Sequence, residues 1–245
     1  MPSNILVQPE AKDALIVTLN HMGYMLSKPE KYNQAFIDFS AHAPGPVLDI
    51  GAAYGVATIP ALERGAYVIA NDLDERHLHI LKSKVSPSCL DRLELKPGRM
   101  PNEIDFEENS LGAVLASRIL GFMMPEEFEL SLKKIFKWLK PGGKFFFLSG
   151  SLYGTFQKFL PIYQKRKAEG HAWPGFIEDV SFCNPGRAGD LPEFVHVLDE
   201  EILSNSLKVT GFAIEELGFN PALEGCPQDM KFDGREYIGA IALKE

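Results

Sequence analysis

Residues 46–74 read PVLDIGAAYGVATIPALERGAYVIANDLD, and the fold follows from them. Val47, Leu48 and Ile50 form a short apolar run, as for a strand buried on both faces. A small-residue turn follows, Gly51-Ala52-Ala53-Tyr54-Gly55. The pattern then predicts a helix from Val56 to Arg64, with Gly65 placed to end it. Pro60 is tolerable because it falls early in that helix. A second apolar run, Tyr67 to Ala70, ends at Asn71-Asp72. The unit is strand–turn–helix–strand, with an acid at the tip of each strand.

Such a turn has a specific chemistry. Backbone without bulky side chains lets a ligand come close. The helix that follows offers free N–H groups and a positive dipole end, which favour a carboxylate or phosphate. An acid closing the second strand can accept from ribose hydroxyls. Asp72 stands about 20 residues past the turn, as that arrangement requires. The unit therefore predicts an adenosine-bearing ligand. The nicotinamide fingerprint G-x-G-x-x-G would need glycine at 51, 53 and 56, and the chain has Ala53 and Val56. The pattern Asp49-x-Gly51-x-Ala53-x-Gly55 instead resembles the first motif of the class I S-adenosylmethionine-dependent methyltransferases. That family usually writes D-x-G-x-G-x-G, so Ala53 is a small departure.

The chain has 245 residues, enough for one α/β domain with a large core, and its 45% hydrophobic and 24% charged content is ordinary for a globular protein. A net charge of −8 provides no broad basic field, so a nucleic-acid partner is not expected. Cys89, Cys183 and Cys226 are odd in number and widely spaced, which reads as reduced thiols in a cytoplasmic setting. The first residues lack the basic and apolar regions of a secretory signal, and no stretch approaches the length of a membrane span. No cluster has metal-ligand spacing, and no metal is expected.

Before the first strand, Ala11 to about Met22 reads as a helix with Leu15, Ile16 and Leu19 on one face. Ser27-x-x-Glu30 reads as a capping box for a helix through about Ala41. After Asp72 come a helix from Glu75 to about Val85, a short strand marked by Leu93 and Leu95, and then Pro97-Gly98-Arg99-Met100. Methyltransferases often carry an acid after this glycine to accept from the adenine amino group; here it is Arg99, with Glu103 as a possible substitute. Asn109-Ser110-Leu111-Gly112 resembles the N-S-F-D that opens the family's fourth strand, with glycine for the acid. The amphipathic helix Glu126–Leu139, then Leu139-Lys140-Pro141-Gly142-Gly143, then Phe145 to Leu148 as strand five, is a strong signature of the same family. Leu198 to Phe212 resembles its last helix, with strands at Ala213–Phe219 and Tyr237–Leu243.

The resemblance implies a single Rossmann-like, doubly wound domain over 1–245, with a seven-stranded sheet in the order 3-2-1-4-5-7-6 and strand 7 antiparallel. Its parts would be an N-terminal helical cap (1–45), a cofactor-binding core (46–150), a lid or substrate insertion (151–195) and the C-terminal part of the core (196–245). It implies S-adenosyl-L-methionine as cofactor and S-adenosyl-L-homocysteine as product. The residues it assigns to the cofactor are Asp49, Gly51, Ala52, Ala53, Tyr54, Gly55, Asp72, Leu73, Arg99, Met100, Ser117 and Arg118. Tyr54 would lie near the sulfonium, where a ring face is favourable.

The insertion holds Phe156, Phe159, Leu160 and Tyr163 at helical spacing, closed by Lys165-Arg166-Lys167, which reads as a solvated helix end. Its aromatic content hints at an apolar small-molecule acceptor, methylated on oxygen or nitrogen. Tyr24, Tyr32, Tyr153 and Trp173 are candidate substrate contacts, and His171 is the candidate general base. His77 and His79 have no partner in sequence and read as structural. A protein acceptor, or a non-catalytic interaction module, remain the alternatives, and a monomer or homodimer fits either.

Overall fold

A computed structural model describes residues 6–245. The segment read as a helix from Ala11 is instead a hairpin, β1 (Leu15–Val17) paired antiparallel with β2 (Tyr24–Leu26). Its apolar side chains go to two different places, which a single helix face could not serve. Leu15 and Leu26 pack with Cys226, and Ile16 and Met25 with Tyr54 and Ile80. The next helix, α1 (Lys31–Ser40), is preceded by Glu30, whose side chain makes no capping bond, so the Ser27 capping box does not form. The segment expected to be a helical cap is thus a hairpin plus one helix.

The core then runs β3 (Val47–Ile50), α2 (Thr58–Glu63), β4 (Val68–Asp72), α3 (Glu75–Lys84), β5 (Leu93–Pro97), β6 (Leu111–Ser117), α4 (Pro125–Trp138) and β7 (Leu139–Gly150). The insertion contributes α5 (Leu160–Ala168), β8 (Phe176–Ile177), α6 (Val180–Cys183) and β9 (Val195–His196). The chain closes with α7 (Glu200–Thr210), β10 (Ala213–Asn220) and β11 (Tyr237–Leu243). Seven strands make one sheet in the order β10-β11-β7-β6-β3-β4-β5, with β11 antiparallel to both neighbours. Counting only these strands, that is the expected 3-2-1-4-5-7-6.

Both faces of the sheet are covered, so the central strands are apolar on both faces up to their carboxyl tips. Leu48 and Ile50 face one cluster with Phe128, Leu132, Leu203 and Leu207, from α4 and α7. Val47 faces the other with Phe36, Leu62, Leu78 and Leu81, from α1, α2 and α3. Helices α3 and α7 are delimited by ordinary capping chemistry. Asp74 accepts from the Arg76 amide at the start of α3, and Asp199 accepts from the Ile202 amide at the start of α7. Gly211 ends α7 with φ +110°. Gly112, where the family has an acid, is sterically required, because a Cβ there would lie 2.6 Å from the Gly45 nitrogen.

The insertion has a small core of its own, with Phe156, Phe159, Tyr163, Ile177, Val180 and Val195 packed together. The basic triplet at the end of α5 is not wholly solvated. Lys167 Nζ lies 2.6 Å from Asp199 and 2.7 Å from Glu201, and Arg166 donates to the Phe176 carbonyl at 2.6 Å. Tyr163 also donates to Asp199. The Lys167 and Tyr163 contacts fasten the insertion to the start of α7, and the Arg166 bond braces the insertion itself.

Candidate active site

The carboxyl ends of β3, β4, β5 and β6 border a cavity of about 240 Å³, the position where open α/β sheets bind ligands. Its floor is the turn after β3. Gly51, Ala53 and Gly55 all have positive φ, at +72°, +44° and +88°. Gly51 is required, because a Cβ would sit 2.2 Å from Ile119 Cδ1. Ala53 takes the same left-handed region despite its Cβ, and its amide donates to Asp72 Oδ2 at 3.0 Å. The Ala52 and Gly55 amides are also used internally, on the Asn71 and Ala52 carbonyls. The turn therefore brings a ligand close to backbone rather than presenting a row of free donors.

Asp49, buried at the tip of β3, accepts from Thr58 Oγ1 at 2.7 Å. Burial pushes its carboxyl up to about 6; the Thr58 bond opposes this and the Asp72 charge adds to it. Asp72 ends β4. Its Oδ1 accepts from the Asp74 amide at 2.9 Å and lies 3.1 Å from His77 Nδ1. With Ala53 on Oδ2, three of its four lone-pair positions are taken, so one position on Oδ2 remains for a ligand. Asn71 bonds the Lys96 and Gly98 carbonyls at 2.8 and 2.9 Å and fixes the neighbouring tips of β4 and β5.

At the tip of β6, Arg118 has φ +60°, pairs with the buried Glu30, and covers the Tyr237 ring at 4.2 Å. A non-glycine residue held in this region at a ligand site is the kind of strain that surrounding contacts must support. Glu30, read from sequence as a helix cap, is the support here. Arg99 lines the cavity rim, but its guanidinium turns outward to Glu127 at 3.0 Å. Glu103 cannot stand in for the missing acid, because it accepts from the Arg99 amide at 2.8 Å and is not part of the cavity lining.

Of the residues assigned to the cofactor, Asp49, Gly51, Ala52, Ala53, Asp72, Leu73, Arg99, Met100, Ser117 and Arg118 line this cavity. Tyr54 and Gly55 do not. Tyr54 is fully buried behind the turn, with its hydroxyl on the Val17 carbonyl at 3.1 Å and its ring edge-on to His77. Its ring is therefore not available to a sulfonium. Among the substrate candidates only Tyr24 reaches the cavity. Tyr32 is fully buried under Gly239, where a Cβ would lie 2.1 Å from its ring. Tyr153 packs against Phe219 and Arg235, and Trp173 against Phe128 and His196. The side chain of His171 is 53% exposed, 3.5 Å from Glu169 and outside the cavity.

Several lining residues were not read from the sequence. His77 is buried on the inner face of α3 with Leu78 and Leu81, so a polar residue on an apolar helix face was the available signal. Asn33 and Ser149, both buried, come from α1 and the end of β7. Arg187 comes from the insertion and Glu236 from the loop before β11. Over the mouth, Tyr24 donates to Asp190 Oδ2 at 2.6 Å, and His21 Nδ1 lies 2.9 Å from Asp190 Oδ1. Burial and the Asp190 contact push the Tyr24 hydroxyl up to about 12. Arg187 pairs with both oxygens of Asp229 at 2.9 Å. The hairpin, the insertion and the loop before β11 are thus joined above the cavity.

Residues 47–143 match a methyltransferase-domain family. No curated protein matches the chain. Among solved structures, a methyltransferase described as S-adenosylmethionine-dependent from Methanosarcina mazei is 18% identical, with a TM-score of 0.61 over 81% of this chain and 92% of its own. A second, from Listeria monocytogenes and described as putative, is 21% identical, with a TM-score of 0.59 over 87% of this chain and 98% of its own. A glycopeptide N-methyltransferase complexed with S-adenosylhomocysteine is 17% identical, with a TM-score of 0.57 over 87% of this chain and 88% of its own. At such identities these likenesses concern the fold. The match over 47–143 concerns kinship: this stretch, from β3 into β7, is a methyltransferase domain.

Proposed function

We propose that the chain transfers the methyl group of S-adenosylmethionine to a small, largely apolar acceptor held in the same cavity. The supporting observation is the continuity of that cavity. It runs from the turn after β3 to Met22 and Met25 of the hairpin and to Phe156, Leu191 and Val195 of the insertion. The residues present fit the cofactor. Two buried carboxylates stand at adjacent strand tips, a left-handed turn of small residues lies between them, and Leu73 and Met100 offer apolar surface. When bound, the cofactor supplies an already activated sulfonium methyl.

The chain's own work is then binding and alignment, which can account for much of the rate of such a displacement. Asp72 Oδ2 would accept from a ribose hydroxyl. Asp49 would face the ammonium of the methionine part, with Thr58 holding its carboxylate. Met100 and Leu73 would pack against adenine, taking the place of direct recognition of the amino group.

On the acceptor side three of the lining charges have partners of their own, and Lys28 is exposed to solvent. Arg118 has Glu30, Arg187 has Asp229, and Glu236 accepts from the Ala222, Phe232 and Gly234 amides at 2.8–2.9 Å. A neutral, apolar acceptor loses least by entering such a lining, while Asn33 and Ser149 can hydrogen-bond its polar end. No helix among the described residues is long and apolar enough to cross a membrane. The three cysteines are buried and unpaired, which supports a cytoplasmic setting.

The test is turnover. Purified full-length protein is incubated with radiolabelled S-adenosylmethionine and a size-fractionated extract. Label in the low-mass fraction is the expected result, and label confined to protein would move the acceptor to that class.

A further inference from the structure

His77 has two ring nitrogens with two different partners. Nε2 lies 3.0 Å from the Leu19 backbone nitrogen, which can only donate, so Nε2 must accept. In a neutral imidazole the proton is then on Nδ1, which lies 3.1 Å from Asp72 Oδ1 and donates to it. The ring is 1% exposed, so water does not replace either partner. The other groups beside the ring make no hydrogen bond to it. Asp74 Oδ2 is 3.8 Å from Nε2, and the Tyr54 ring meets the imidazole edge-on at 5.2 Å. Leu19 belongs to the connection between β1 and β2. A continuous chain of bonds therefore runs from the hairpin backbone, through one imidazole tautomer, to the acid at the tip of β4.

We propose that His77 is a positioning residue for the cofactor ribose, acting through Asp72, and that it ties the hairpin to that carboxylate. This rests on the reading of Asp72 as the ribose acceptor. By occupying Oδ1 together with the Asp74 amide, His77 leaves Oδ2 as the oxygen that can serve a ribose, and it fixes the direction in which Oδ2 points. It also provides the buried acceptor for the Leu19 amide, so hairpin placement and carboxylate orientation depend on the same ring. A metal-type or purely packing role would not require the two nitrogens to differ.

Two near-isosteric substitutions separate the halves of the relay. In His77→Asn the side-chain amide sits where Nδ1 was and can still donate to Asp72, while Leu19 loses its acceptor. In His77→Gln the carbonyl reaches the Nε2 position and can accept from Leu19, while Asp72 loses its donor. The proposal predicts that His77→Gln weakens S-adenosylhomocysteine binding by about tenfold, the scale of one hydrogen bond to a charged group. It predicts that His77→Asn keeps the affinity within about threefold but speeds hydrogen exchange at the Leu19 amide.

Equal losses in both variants, following only their melting temperatures, would mean a structural role and overturn the proposal. So would wild-type affinity in His77→Gln. If the wild type itself does not bind S-adenosylhomocysteine, the ribose reading falls and the proposal with it. A readout free of ligand is the nitrogen-15 spectrum of histidine-labelled full chain at neutral pH. The Nδ1–H tautomer is expected at His77, and an Nε2–H tautomer or an imidazolium would overturn the relay even if the cofactor binds.

Discussion

The Ala53 amide donates to Asp72 Oδ2 at 3.0 Å, so the acid at the tip of β4 also fixes the turn after β3. One side chain thus shapes the cavity wall at both the β3 and the β4 tips. Asp72→Ala should weaken S-adenosylhomocysteine binding by about 1.5–3 kcal/mol, the range for hydrogen bonds to charged groups. It should also lower the melting temperature, because the Ala53 and Asp74 amides lose their acceptor. Titration calorimetry and thermal unfolding on the same preparation check both; unchanged affinity removes Asp72 from the ribose.

Asp49 gives the binding a pH dependence with a definite sign. Its folded-state carboxyl is raised to about 6, so the empty site takes up a proton as pH falls through that value. The protonated form cannot pair with an ammonium. S-adenosylhomocysteine affinity should therefore drop by about tenfold from pH 7 to pH 5, one proton being linked to one ligand. Asp49→Asn should remove that slope. Because the raised group is ionised at a cost in the empty fold, its contribution to stability is greatest at acid pH and is lost as pH rises through about 6. Asp49→Asn should accordingly stabilise the ligand-free protein at pH 7 and not at pH 4, which melting curves at the two values would show.

Ala53 stands where the family has glycine and holds φ +44°. Left-handed backbone costs a residue with a Cβ about 1–2 kcal/mol, partly offset by the lower chain entropy of alanine. Ala53→Gly should stabilise the protein by about 0.5–1 kcal/mol in denaturant unfolding. Gly51→Ala should do the opposite and more strongly, since its Cβ would meet Ile119 at 2.2 Å in a left-handed turn. A destabilised Ala53→Gly variant would show that the strain is not there.

Tyr24 reaches from the hairpin to Asp190 in the insertion. Tyr24→Phe removes that tie without emptying the cavity wall, and should cost about 1 kcal/mol of local stability. Hydrogen exchange should quicken over residues 186–192 and remain unchanged in β3 and β4. His171→Ala makes a useful contrast, because an exposed imidazole outside the cavity should leave turnover as it is. A large loss of turnover in His171→Ala would restore it as the base.

The sheet order came with the family resemblance, whereas the strand–turn–helix–strand unit at 46–74 was legible because it depends on local rules. Buried parallel strands are apolar without alternation, left-handed turns select small residues, and Gly65, at φ +94°, marks the end of α2. The hairpin was not legible. Leu15, Ile16 and Leu19 have helical spacing over a few residues, and only contacts with Cys226, Tyr54 and Ile80 far along the chain make the segment a hairpin. Glu30 has the same local setting as a capping residue, and its actual partner, Arg118, lies at the tip of β6. Tyr54 shows the complementary limit. Its place in the motif is local, but the direction of its ring is set by the Val17 carbonyl and His77.

The most direct measurement is calorimetric titration of the wild-type full chain with S-adenosylhomocysteine, S-adenosylmethionine and NAD, side by side. Micromolar binding of the first two at one site per chain, with none for NAD, is the predicted result. Binding of NAD alone, or of none of the three, would contradict a cofactor site built on Asp49, the turn at 51–55 and Asp72.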